Sequence, residues 1–168
     1  ILNNIYDHLN FVINNLEWSP FSRNNHYIAN IVGLLVMGYF LPRNDYTGFI
    51  LKFAINQLFN EIDNQFFDDG GSREGSTAYH IFSTEMILIG LYFYNKIRKE
   101  KDKIKFLSPG LIKYFNKSLL IYCYSKKLDD TYEKKILKKV NKILLFSKKL
   151  KRNDDSLLQV GDNDSGCF

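Results

Sequence analysis

Two cysteines, three prolines, ten glycines and one tryptophan in 168 residues set the first limits. Cys123 and Cys167 cannot frame a disulfide-rich scaffold or a cysteine-based zinc site, and they leave the redox compartment open. So little proline and glycine rules out a collagenous or linker-dominated chain. Long hydrophobic runs are lacking as well. The longest, Ile31 to Leu41, falls short of the ~20 residues that span a bilayer, and it reads as a buried core helix. No signal peptide opens the chain, which starts at Ile1 inside an already periodic segment and stops at Cys167-Phe168 after a turn-rich stretch. Both ends are expected to be cuts, which makes the chain a piece of a longer protein.

What is present suits one folded domain: 45% hydrophobic, 24% charged and 15% aromatic residues. The net charge of +5 is unevenly placed. Residues 1–95 hold 4 basic and 9 acidic side chains, against 19 and 9 in residues 96–168. A basic half invites a nucleic-acid reading. However, Lys134, Lys135, Lys138, Lys139 and Lys142 alternate with Ile136, Leu137, Val140, Ile143 and Leu144 at helical spacing, which describes the solvated face of an amphipathic helix. No nucleic-acid motif accompanies them, and no specific nucleic acid is expected as a partner.

Periodicity predicts six helices and almost no strand, over about 1–17, 24–41, 45–66, 76–98, 109–127 and 131–150, with 151–168 irregular. The first carries Ile1, Ile5, Leu9, Val12, Ile13 and Leu16 on one stripe. Short turns imply antiparallel hairpins. Alternate helices then begin at the same end, so the starts of helices two and four share a rim, and the sixth helix is expected to end at the far one.

Those two starts are unusually polar. Arg23-Asn24-Asn25-His26-Tyr27 leads straight into an apolar helix, with Asn24 placed to cap it. Glu74-Gly75-Ser76-Thr77-Ala78-Tyr79-His80 opens the fourth helix, with Ser76 as cap. Each alone reads as ordinary capping. Together they gather Asn25, His26, Tyr79 and His80 beside two helix N-termini, an arrangement suited to a carboxylate-bearing ligand. Trp18, Phe21 and Tyr27 are placed to stack on sugar rings and equally well to fill the core. No Ser-His-Asp order, phosphate loop or glycosidase carboxylate pair stands out. His8 reads as an ordinary surface or packing residue.

The run Asn24 to Gly33, then Asp69-Gly70 with Glu74 to His80, and finally Gly161-Asp162-Asn163-Asp164-Ser165-Gly166 resembles the heparinase II/III-like proteins. The resemblance implies an all-α domain of antiparallel helical hairpins forming part of an (α/α) toroid, here residues 1–168. Residues 151–168 would lead toward a β-sandwich domain that this chain lacks. It implies cleavage of acidic, uronate-containing polysaccharides by β-elimination, without cofactor or metal, and a periplasmic or cell-envelope location. Asn25 matches the group that neutralises the uronate carboxylate, and Tyr79 the phenol acting as base or acid. His26 and Glu74 match supporting positions, as does His80. Cys167 stands where the family usually has Arg, and a further catalytic His belongs to the β-sandwich domain. The Asp162–Asp164 spacing reads as a turn rather than a calcium site. A non-catalytic carbohydrate-binding or surface-polysaccharide assembly protein on the same fold is the alternative. A helical interaction domain with a basic face comes third.

Overall fold

A computed structural model describes residues 1–99, 121, 125–154 and 156–162. Among these residues the protein is all-α, with five helices: α1 (Leu2–Asn14), α2 (Asn25–Phe40), α3 (Asp45–Gln65), α4 (Thr77–Arg98) and α5 (Asp130–Lys149). Only two isolated bridges, Phe66 to Ser72 and Lys151 to Leu157, add extended pairing.

The expected stripe of α1 sends Leu9, Ile13 and Leu16 into the core, while Ile1 lies open to solvent. The helix stops at Asn14, short of the expected residue 17. The side-chain amides of Asn14 and Asn15 each donate back to a carbonyl four residues earlier, both at 2.8 Å, and that of Asn15 reaches Phe11 O, one of the carbonyls left free at the helix end. α2 buries Tyr27, Ile28, Ile31, Leu34, Leu35 and Gly38, while Ala29, Gly33, Val36 and Met37 form a less buried apolar stripe. Beyond Pro42 the Arg43 guanidinium donates to the carbonyls of Gly38, Tyr39 and Leu41, closing its end. α3 opens with a reciprocal cap between Asn44 and Thr47. α5 is capped by Asp129, whose carboxylate accepts from Tyr132 N–H at 2.8 Å, and carries acidic residues in its first turn and lysines in its last.

Directions follow from specific contacts. Gln65 at the end of α3 bonds to Asn24 at the start of α2, and Gly38 packs against Leu51 at the other end, so α2 and α3 are antiparallel. α2 and α4 run together: Glu74 meets Asn25 at their starts, and Tyr39 meets Phe93 at 5.2 Å near their ends. Helices two and four therefore begin at one rim. Gly90 permits their close approach, since a Cβ there would lie 3.2 Å from Val32 and 3.0 Å from Leu58 of α3.

Two expectations need correction. The sixth predicted helix, here α5, lies antiparallel to α4, with Glu133 paired to Arg98 and Ser147 bonded to His80. It ends at the rim where α4 starts, not at the far one, because its first turn is held beside the end of α4 by the Arg98–Glu133 pair, an order of directions that strict alternation over six helices does not give. The fifth predicted helix falls mostly outside the described residues; Ile121 is helical, but residues 125–127 are not. Side chains of α3 hold that segment open. Asn60 both donates to the Lys126 carbonyl and accepts from its N–H, at 2.9 and 2.8 Å, and Asn56 accepts from Leu128 N–H at 2.9 Å. Among the described residues, no helix is long and apolar enough to cross a membrane.

Candidate functional site

The turn between α3 and α4 builds the rim. Gly70 has φ +101°, and a Cβ there would come 2.4 Å from the Lys142 carbonyl oxygen, so only glycine lets the turn lie against α5. Phe67 N–H donates to Gly71 O at 2.8 Å, and Arg73 N–H to Gln65 O at 2.9 Å. The turn delivers Glu74 to the start of α2. There Asn25 gives it two bonds, from its backbone N–H to Oε1 at 2.6 Å and from Nδ2 to Oε2 at 2.9 Å. Asn24 occupies the expected capping position, but its side chain makes no capping bond. Glu74, 49 residues away in sequence from Asn25, satisfies that first-turn amide instead.

Beneath this pair lies a buried polar chain. Gln65 Nε2 donates to Asn24 O and to Glu61 Oε2, both at 2.9 Å, and Arg23 Nη1 donates to Glu61 Oε1 at 2.9 Å. The Glu61 side chain is wholly enclosed and that of Arg23 is 15% exposed. Burial raises the Glu61 pKa above the ordinary carboxylate range, against the lowering bonds of Gln65 and Arg23. Arg23 in turn lies 5.8 Å from the centroid of the half-buried Trp18. Glu61 and Gln65 are absent from the sequence-derived site. The available signal was a carboxylate set between Leu58 and Ile62, where an amphipathic helix should be apolar.

Tyr79 stands half-buried in the first turn of α4. Its N–H donates to the Ser76 hydroxyl at 3.2 Å, as the predicted cap requires. That hydroxyl donates onward to the Asp162 carbonyl at 2.6 Å, and Thr77 N–H donates to Val160 O at 3.0 Å, so residues 160–162 close over the start of α4. Asn163, Asp164 and Cys167 lie outside the described residues.

The other sequence-derived residues divide. His26 is exposed, its Nδ1 3.0 Å from Glu17 Oε2, and Phe21 is 96% exposed nearby in the chain. Tyr27 is fully enclosed, its hydroxyl bonded to Gln57 Oε1 at 3.1 Å. His80 is buried between Phe66 and Phe146, with Nε2 2.9 Å from the Ser147 hydroxyl. Burial lowers the His80 pKa, and its buried Nδ1 has no hydrogen-bond partner among the described residues. The rim thus assembles Asn25, Glu74 and the first turn of α4, while Tyr27 and His80 face inward. Among the described residues no cluster of His, Cys, Asp and Glu could hold a metal ion.

A family model described as Heparinase II/III N-terminus matches residues 1–141. Neither the curated proteins nor the solved structures provide a match.

Proposed function

Because the chain belongs to the heparinase II/III N-terminal family, a family of polysaccharide lyases, we propose that it serves the cleavage of uronate-containing glycans by β-elimination. The observation that carries this reading is the grip of Asn25 on a carboxylate. Its backbone and side-chain N–H groups, at a helix start, take one oxygen each of Glu74. A substrate carboxylate asks for the same two donors, and in this reading it exchanges with Glu74. Hydrogen bonds to a uronate carboxylate strengthen as C5 loses its proton and charge moves onto the carboxylate oxygens, so they lower the barrier rather than only binding substrate.

Tyr79 carries the proton in this proposal. The C5–H bond breaks, its electron pair forms the C4–C5 double bond, and the C4–O bond to the leaving sugar opens. The departing oxygen takes a proton. A phenol ordinarily ionises near pH 10, so accepting a proton at neutral pH requires a positive potential. The N-terminus of α4, where Tyr79 sits, contributes one. Trp18 and His26 flank the entrance as sugar-contacting residues, whereas the enclosed Tyr27 and His80 support the walls. The toroid, the β-sandwich partner and a cell-envelope location belong to the same proposal.

The alternative is a non-catalytic glycan-binding protein on the same fold. Absorbance of the unsaturated product separates the two, measured with the full-length protein on a panel of polyuronates. Product that forms with the native protein and disappears in Tyr79→Phe supports elimination. Glycan binding without product supports the alternative.

A further inference from the structure

A groove of about 610 Å³ runs between α5 and the turn at Asp68, a size within the range of ligand clefts. Lys134, Lys135, Lys138, Lys139 and Lys142 line it, with Asp68 the only acid among the lining residues. The lysines are unequally committed. Lys139 is buried and spent on Asp63, donating to its carbonyl at 2.9 Å and its carboxylate at 3.2 Å. Lys135 stands 3.4 Å from the same carboxylate, which Lys126 also holds at 2.9 Å. Burial would raise the Asp63 pKa, but bonds from Lys126 and Lys139 outweigh it and bring it to about 2. Among the described residues Lys142 donates only to a neutral acceptor, the Asp68 carbonyl, at 2.8 Å. Lys134 and Lys138 are exposed, with no ion pair among the described residues.

The spacing gives the row its character. Lys134, Lys138 and Lys142 follow one another four residues apart, so three ammonium groups climb one helix face in steps of ~6 Å. The groove is cationic with no aromatic side chain among its lining residues, so it offers no platform for stacking bases. It also has a direction. α5 carries it toward the rim, where Lys142 lies against Gly70 and Ser147 bonds to His80.

We propose that this lysine groove is an ancillary binding site for one strand of an acidic glycan, gripping anionic groups on successive sugar rings outside the Asn25–Tyr79 rim. The choice of a glycan over other polyanions rests on the lyase reading, but the binding itself needs no turnover. Exposed lysines bind such a strand by displacing its counterions, which makes affinity salt-dependent.

The test titrates the protein with heparin and with polygalacturonate oligosaccharides across a range of salt. Relative to the native protein, K134E/K138E/K142E is expected to lose at least tenfold in affinity for one of these glycans. Its slope of log affinity on log salt should shrink by about two, near the sum of three lost contacts. K96E/K99E/K127E makes the same net-charge change on other surfaces and should lose less than threefold. K134Q/K138Q/K142Q, with a smaller perturbation of the fold, should follow the first triple. Equal losses in the two charge-reversal triples overturn the proposal, as does absence of binding by the native protein. Equally tight binding of single-stranded DNA of matched charge overturns the assignment to a glycan. Turnover by the full-length protein is read separately from these titrations, so a fault in the elimination reading appears in turnover and a fault in the groove appears in binding.

Discussion

Arg23→Ala tests the buried chain under the rim. Glu61 has no exposed side-chain surface, and Arg23 is its only cationic partner in the ion pairs of the described residues. Removing one member of a buried pair leaves an uncompensated charge, at a cost of about 3–5 kcal/mol. For a protein of this size that corresponds to a Tm lower by roughly 6–20 °C. The loss should depend on pH. Burial raises the folded-state pKa of Glu61, so the folded protein holds that proton more tightly than the unfolded chain does. Stability is then fullest at or below the unfolded value, ~4.3, and falls as pH rises through the raised folded value. Without Arg23 the folded value climbs further and the window widens, so the variant should lose more at pH 8 than at pH 5. Glu61→Gln in the Arg23→Ala background removes the charge and keeps an amide beside Gln65, and it should recover most of the deficit. Thermal unfolding followed by circular dichroism at both pH values reads all of this. A loss below about 1 kcal/mol at pH 8, or a double variant no more stable than Arg23→Ala, would refute the reasoning.

Three further outcomes are expected. Tyr79→Phe in the full-length protein should lower elimination by ~10²–10⁴-fold with an unchanged helical signal, and retained activity would remove Tyr79 from the mechanism. Asn25→Ala should reduce kcat more than it raises KM, measured on the same glycan, because the donors matter most as charge builds on the carboxylate. Gly70→Ala should destabilise the protein by more than about 2 kcal/mol in denaturant unfolding, since a positive φ and a backbone clash with Lys142 act together.

Much of this architecture is legible in residue order alone. The apolar run after Asn25, the cap at Ser76 and the lysine–isoleucine alternation after Asp130 fix three helices, and two of them start at the rim as short turns require. Other features depend on partners far away in sequence. The Arg23–Glu61 pair spans 38 residues, and the Asn25–Glu74 bonds span 49. The direction of α5 shows in contacts of Glu133 with Arg98 and Ser147 with His80, 35 and 67 residues apart, so a rule of alternation cannot supply it. Tyr79 and His80 show a finer limit. Neighbours on a helix point about 100° apart, so adjacent polar residues need not share a direction, and here His80 turns inward toward Ser147. Tyr27 follows the same rotation away from Asn25 and into the core.

The bonds from Ser76 and Thr77 to residues 160–162 also set an order in time. They join positions 83 to 86 apart in the chain. A chain made from its N-terminus can pack α1, α2 and α3 while the rest is still being synthesised. The first turn of α4 waits for its last partners until residue 162 has emerged, and the entropy of closing so long a loop must be met before these contacts stabilise anything. The cover over the first turn of α4 is thereby completed late, and a nascent or truncated chain ending before residue 160 lacks the partners of Ser76 and Thr77 at the rim.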